Sequence, residues 1–245
     1  MGLVRTTRAG ASGEEGGALP EHLVGRLLLV LAAAAGCVDV VCVTRLGGAF
    51  ASVITGNLVH LGRAIAALDG RLAVSATTAV ASYALGVAGA TTRLRDRPAG
   101  WRRQTTRIAG GELVMLALVA AGWLATSGQP DATISWLLLA FAAAAMGVQS
   151  AITIGSGVRG ASTTYLTGTL TDVARTLAGE GRRFAATAGG VARLAALLCG
   201  AIVGSLLLRV TPSFAPALPV VLVGAVVAIA AAAIRERPDE KRPPG

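Results

Sequence analysis

The sequence predicts an all-α integral membrane protein with two repeated halves, six spanning helices and two re-entrant or broken helices. Apolar residues make up 53% of the 245 residues and charged residues 14%, and the mean hydropathy is +0.66. A soluble domain carries about a quarter charged residues, so this chain lacks the polar surface that water requires. A bilayer core of about 30 Å instead accommodates helices of about 20 apolar residues.

Six segments have the length and apolarity of a membrane span. In chain order they are Leu27–Thr44 with Asp39, Leu72–Thr92, Ile108–Ser127 with Glu112, Ala132–Gly155, Ala186–Leu208 with Arg193, and Val210–Ile234. The start of the first segment also resembles a signal peptide with a small-residue cleavage site. Its apolar run continues to Val43 and has a counterpart in the second half of the chain, which favours a retained helix.

Two further segments, Gly48–Leu68 and Ala161–Ala178, carry charge in their second half and a Thr-Gly pair near the middle. Glycine permits a backbone turn and threonine can bond the freed backbone groups, so both pairs predict a break in a helix. The stretch after each break would be a half-helix whose N-terminal amides favour anions or dipolar ligands. Continuous helices that pack closely through the same small residues are the alternative.

An internal repeat relates the two Thr-Gly segments. Ile54–Ala66 aligns with Leu166–Ala178 through the Thr-Gly pair, a leucine, an arginine and a final alanine, and upstream Asp39 falls opposite Gln149. The order span, Thr-Gly segment, span, span also recurs. The sequence therefore predicts one membrane domain over 23–234, with halves at 23–127 and 132–234. A disordered cytoplasmic tail over 1–22 and a cytoplasmic tail over 235–245 are expected to flank it.

The basic residues distinguish two topologies. Most of the 22 cations lie between the apolar segments or at the chain ends, and six arginines lie between positions 93 and 107. Six spans with both Thr-Gly segments re-entrant place that loop and both termini in the cytoplasm, whereas eight full spans (4+4) force the loop outside. The positive-inside rule favours six spans, and eight remain the alternative. Three spans per half give an inverted repeat, as in many transporters and channels.

Several short motifs carry a family resemblance. The run GCVD at 36–39, Phe50 and TGNL at 55–58 are matched in the second half by MGVQ at 146–149 and TTYLTGTL at 163–170. With these motifs the chain resembles the YoaK family of bacterial membrane proteins (domain of unknown function 1275) over most of 27–234. Ser150 departs from the family pattern, which often has Asn after the Gln. The resemblance implies a multi-pass bacterial inner-membrane protein and brings no activity with it.

Polar residues at membrane depth are the candidate functional groups. Asp39 lies 13 residues beyond Arg26, about 20 Å along a helix, where a carboxylate costs about 2.5–3.5 kcal/mol on insertion scales. It is either a proton or cation site, or a structural acid that is paired or hydrogen-bonded. His60 is either a proton relay or a packing residue. The predicted midplane site consists of Asp39, Thr55, Gly56, Asn57, His60, Gln149, Thr167, Gly168 and Thr169.

Two further patterns concern packing. Glu112 follows Arg107 by five residues, and we expect the two to pair at the cytoplasmic interface. Gly200 and Gly204 form a G-x-x-x-G motif, which is expected to bring two helices close together.

The leading functional hypothesis is a passive or proton-coupled carrier or channel for a small solute. A non-transporting scaffold, sensor or assembly protein is the alternative. Catalytic motifs and Cys/His metal clusters are absent from the sequence, so no enzyme activity, cofactor or metal is expected. The expected partners are the lipid bilayer, a small-molecule or ion substrate and a second copy of the chain. Loop arginines account for the net charge of +9, so no nucleic acid is expected.

Overall fold

The computed structural model describes residues 17–158, 163, 166–178 and 184–236, which form eight α-helices and no strand. The predicted all-α fold is therefore confirmed. The predicted tails, 1–22 and 235–245, lie outside the described residues except for 17–22, 235 and 236. The helices are α1 (Glu21–Arg45), α2 (Ile54–Ala66), α3 (Gly70–Leu94), α4 (Arg103–Ala125), α5 (Ala132–Gly155), α6 (Thr167–Leu177), α7 (Phe184–Val210) and α8 (Ala217–Arg235), with a 3-10 turn at Pro212–Phe214 before α8.

Six of the described helices are long and apolar enough to cross a membrane: α1, α3, α4, α5, α7, and α8 together with the turn before it. The other two, α2 and α6, have 13 and 11 residues. At 1.5 Å per residue they extend about 20 and 16 Å, well short of a bilayer core of about 30 Å. The chain is thus a multi-pass membrane protein with six spans and two short helices, and eight full spans do not fit the described helices.

Local capping explains where several helices begin. The Asp131 carboxylate accepts a hydrogen bond of 2.8 Å from the Ile134 amide, and α5 begins directly after that cap. Asp69 accepts a hydrogen bond of 3.0 Å from the Leu72 amide in the same way at the start of α3. Side-chain oxygens at these positions satisfy amides that have no partner within the helix.

The bundle has two ends, which hydrogen bonds between distant segments identify. At the first, the Leu19 amide donates to the Trp101 carbonyl (2.8 Å) and the Gly100 amide donates to the Gly155 carbonyl (3.0 Å). We call this the arginine end, because the arginine-rich connection between α3 and α4 lies there. At the other, the distal end, Trp123 Nε1 donates to the Pro212 carbonyl at 2.9 Å.

The two most extensive contacts between spans join the two halves of the chain: α1 packs against α7, and α3 packs against α5. Each pair crosses at two glycines. A Cβ at Gly36 would overlap the Leu197 carbonyl oxygen, and one at Gly200 would overlap the Ala33 carbonyl oxygen. Gly86 and Gly147 face the carbonyls of Ala144 and Tyr83 in the same manner. Close approach of the two backbones therefore requires glycine at all four positions, and the predicted close contact through Gly200 is confirmed.

Candidate functional site

The connection between α1 and α2 is held inside the bundle by Asp39. Both oxygens of its carboxylate accept from Ser52: Oδ1 from the backbone amide at 2.8 Å and Oδ2 from the hydroxyl at 2.5 Å. Asp39 is buried, with 7% of its surface exposed. Asp39 lies six residues before the end of α1 at Arg45. Ser52 therefore folds back to a point about 9 Å inside the end of that helix. The buried acid has the donors that a carboxylate requires in a low-dielectric interior.

Asn57 holds the same connection from the first turn of α2. Its Oδ1 accepts from the Phe50 amide at 2.9 Å, and its Nδ2 donates to the Phe50 carbonyl at 2.7 Å. The Asn57 side chain is fully buried. The His60 ring packs against Phe50 with centroids 5.9 Å apart and planes inclined at 36°, and its buried Nδ1 has no hydrogen-bond partner in the described part of the chain. We call Asp39, Phe50, Ser52, Asn57 and His60 the first polar cluster.

The connection between α5 and α6 is held by Gln149. Its Nε2 donates to Thr163 Oγ1 at 2.9 Å and to the Leu31 carbonyl of α1 at 3.1 Å. Gln149 is fully buried, and its Oε1 has no partner among the described residues. It lies six residues before the end of α5 at Gly155, so this connection also returns about 9 Å along the helix that precedes it. We call Gln149, Thr163 and Leu31 the second polar cluster.

The predicted site residues therefore divide between two clusters and two helix starts. The two clusters both bond to α1, at Leu31 and at Asp39, which are eight residues or about 12 Å apart along the helix. Thr55, Thr167 and Gly168 are exposed on the first turns of α2 and α6, while Gly56 and Thr169 are half-buried. Both Thr-Gly pairs lie just inside the short helices rather than at the break itself, because α2 begins at Ile54 and α6 at Thr167.

Ser52 and Thr163 were not among the predicted site residues, although each bonds directly to one that was. Both are hydroxyl residues a few positions before a Thr-Gly helix, and they lie 111 positions apart, close to the offset of 112 that aligns the Thr-Gly pairs. A hydroxyl recurring at the repeat offset was the signal available in the sequence. This pattern identifies Ser52 and Thr163 as candidate hydrogen-bonding residues, but it does not identify their partners Asp39 and Gln149.

The expected pairing of Glu112 with Arg107 is wrong. Glu112 is fully buried and neither carboxylate oxygen has a hydrogen-bond partner within the described ranges, whereas Arg107 is exposed. Five residues correspond to about 500° of helical rotation, so the two side chains lie about 140° apart around α4. Glu112 belongs to the face of α4 that enters the core.

A cavity between α1, α4, α5 and the start of α8 has a volume of about 10 Å³. Its walls are apolar and include Val38, Leu116, Ala142 and Pro219. A single water needs about 10–15 Å³ and polar partners, so this cavity is dry. The conformation described is therefore closely packed beside the first polar cluster.

Comparison with known proteins identifies the family. Neither the curated proteins nor the solved structures contain a match to this chain. One family model matches residues 27–230, which include all eight helices in whole or in part, and its description is protein of unknown function (DUF1275). The match covers most of the chain and agrees with the resemblance carried by the paired Thr-Gly motifs. The chain is a multi-pass membrane protein that belongs to the DUF1275 family.

Proposed function

We propose that the protein is a carrier or channel for a small solute in the bacterial inner membrane, with a polar site near the bilayer midplane. The residues proposed to meet the solute are those of the predicted site, with Ser52 and Thr163 as the groups that close it. One observation carries the proposal. In each half, a connection returns about 9 Å into the bundle, is held there by a buried polar side chain, and begins a short helix.

Irregular backbone at membrane depth supports a transport role. Exposed peptide groups cost several kcal/mol each in hydrocarbon, so such backbone is tolerated only where protein buries it or where it lines a polar pathway. Carrier folds place broken helices of this kind near the midplane, one in each inverted half, where half-helix ends meet the solute.

The packing supports an inverted repeat. The first span of each half packs against the second span of the other half, α1 on α7 and α5 on α3, and both contacts use a glycine from each helix. The arginine-rich connection lies at the arginine end with the start of α1, so the positive-inside rule assigns this end to the cytoplasm. The N-terminus is then cytoplasmic, and the six alternating spans return the C-terminus to the same side.

We interpret the described conformation as a closed state. Ser52 occupies both oxygens of Asp39, and the adjacent cavity of about 10 Å³ has no room for a solute. Release of the Asp39–Ser52 contact would free a carboxylate at membrane depth together with the first-turn amides of α2. Carrier function thus requires that this connection open, and the glycine crossings are where the halves would pivot.

Flux into proteoliposomes tests the proposal. Swelling in glycerol, urea and amino-acid gradients, together with dye-reported proton flux, is compared with protein-free vesicles. We expect flux for at least one solute, reduced at least tenfold by Asp39→Asn and unchanged by Asp96→Asn, which alters an exposed loop acid.

Because Asp39→Asn also disturbs the fold, Thr55→Val and Thr167→Val provide a second comparison. Both threonines are exposed, so these variants should keep the thermal stability of the wild type while lowering flux. No flux across the panel, or flux that none of the three variants lowers, would contradict the proposal and favour the scaffold, sensor or assembly role.

A further inference from the structure

Glu112 is a second carboxyl at membrane depth, and its surroundings differ from those of Asp39. It lies nine residues beyond the start of α4 at Arg103, about 14 Å into the bundle. Its buried neighbours on the same helix face are Ile108, Ala109 and Leu116. No part of its surface is exposed, and neither Oε1 nor Oε2 has a hydrogen-bond donor within the described residues.

A second unpartnered acceptor lies at the same height. The Leu138 side chain of α5 meets Gly122 of α4, and the two helices run in opposite directions. Glu112, ten residues before Gly122, is therefore level with residue 148 on α5, beside Gln149. Gln149 shares the face of Leu138 and Ala142 that contacts α4, because these positions recur at helical spacing. Both Nε2 hydrogens of Gln149 are used elsewhere, which leaves its Oε1 unpartnered.

Among the described residues, the elements packed against α4 bring no compensating charge to Glu112. α1, which lines the same apolar cavity as Leu116, carries Asp39, and that carboxylate is bonded to Ser52. Of the elements packed against α4, α5 and the Pro212–Phe214 turn carry no ionisable side chain. On α8, Gly224 contacts Leu113, the residue next to Glu112, and so marks the level of the carboxyl. Arg235, in the last turn of α8, lies 11 residues or about 16 Å farther along that helix. α3, which touches α4 only lightly, carries arginines at its two ends and the half-buried Tyr83 between them.

We propose that Glu112 is a proton-binding site and carries a proton in the conformation described. An ionised carboxylate in this position would have neither a donor nor a counter-charge among the described residues, a combination that protein interiors avoid. Its oxygens border no space large enough for a water molecule, so neither a water nor a metal cation fits beside them. A proton needs no added volume and supplies the missing donor. The Gln149 carbonyl oxygen, in the same layer and also without a donor among the described residues, is the candidate acceptor for this O–H group.

The proton site goes beyond the proposed function and does not depend on it. If the protein is a carrier, Glu112 is where the coupling proton resides, between the arginine end and the first polar cluster. If the protein transports nothing, the site remains a buried protonated acid of α4.

Infrared spectroscopy of the protein in lipid bilayers tests the proposal. At neutral and mildly alkaline pH an exposed carboxyl is ionised, so the carbonyl band of a protonated acid reports a buried one. We expect that band in the wild type and its loss in Glu112→Gln. The variant Asp96→Asn is the matched control and should leave the band intact. A wild type without the band, or a band that survives Glu112→Gln, would overturn the proposal.

A wild-type measurement removes the dependence on the variant's folding. Protein labelled with ¹³C at the side-chain carboxyls of glutamate alone should shift the whole protonated band, whereas an origin in Asp39 or another aspartate predicts no shift. An unshifted band refutes the site at Glu112. No solute gradient is used, so these results stand whether or not flux is found.

Discussion

The close contact between α1 and α7 predicts that Gly200→Ala lowers the stability of the fold. A Cβ at residue 200 would lie 2.6 Å from the carbonyl carbon of Ala33 and 2.8 Å from its Cα, whereas ordinary contact begins at 3.4 Å. The new methyl is thus about 0.8 Å too close to that carbonyl carbon, and it overlaps the carbonyl oxygen of Ala33 more severely. The opposing atoms belong to backbone, so they cannot rotate away and the two helices must separate.

The expected cost follows from that separation. Overpacking a well-filled interior costs about 1–3 kcal/mol, and a clash with backbone belongs in the upper half of that range. For a chain of this size a loss of about 2 kcal/mol lowers the melting temperature by roughly 4–8 °C. Gly36→Ala, on the opposite face of the same crossing, should cost a similar amount. The double variant should cost less than the sum, because one separation relieves both clashes.

Heating purified protein in detergent, followed by size-exclusion chromatography of the surviving fraction, measures the effect. Gly25→Ala is the matched control, since it lies on α1 and a Cβ there meets nothing within 4 Å. Alanine is the better helix former, so this control should melt at or slightly above the wild-type temperature. Equal melting of Gly200→Ala and Gly25→Ala would refute the close crossing of α1 and α7.

Two other predictions use the same purified protein and whole cells. Asp39→Asn should destabilise the fold by about 1–3 kcal/mol, because an amide N–H would face the Ser52 donors. Ser52→Ala, which keeps the backbone amide, should cost about 1 kcal/mol in the same melting assay, and a smaller effect of Asp39→Asn than of Ser52→Ala would contradict the assignment. Single cysteines replacing Asp69 and Asp96 should react with a membrane-impermeant thiol reagent from opposite sides of the membrane. In the six-span topology residue 69 reacts from the outside and residue 96 from the cytoplasm, so reaction of residue 69 from the cytoplasmic side would contradict that topology.

The sequence predicted the spans well because hydropathy and helix length are local properties. The fourth apolar segment, Ala132–Gly155, coincides with α5, where an aspartate cap follows a polar turn. The third was placed at Ile108–Ser127, whereas α4 begins at Arg103. Hydropathy detects the apolar core of a helix and misses the polar turn that continues into the interface. The two short helices were also anticipated, but they include the Thr-Gly pairs instead of following them: α2 begins one residue before its pair and α6 at the Thr of its pair.

The candidate site was less accessible to sequence reasoning. Asp39 and Gln149 were identified as polar residues at membrane depth, but their partners Ser52 and Thr163 depend on how each connection folds back. Proximity along the chain predicts a pair between Glu112 and Arg107, which the structure does not contain. Five residues separate the two side chains by about 140° around any α-helix, and packing of α4 against α5 and α8 decides that Glu112 is the one facing the core.

Composition and apolar segment length by themselves determined that this chain is a helical membrane protein with six segments of spanning length. The physical reason is that hydrocarbon offers the backbone no hydrogen bonds, so every long apolar segment must satisfy its own peptide groups as a helix. Tertiary structure alone decided which faces of those helices meet, because four glycines permit backbone contact only between particular pairs. Those contacts leave one buried carboxyl with two donors from Ser52 and another, Glu112, with none in the described part of the chain.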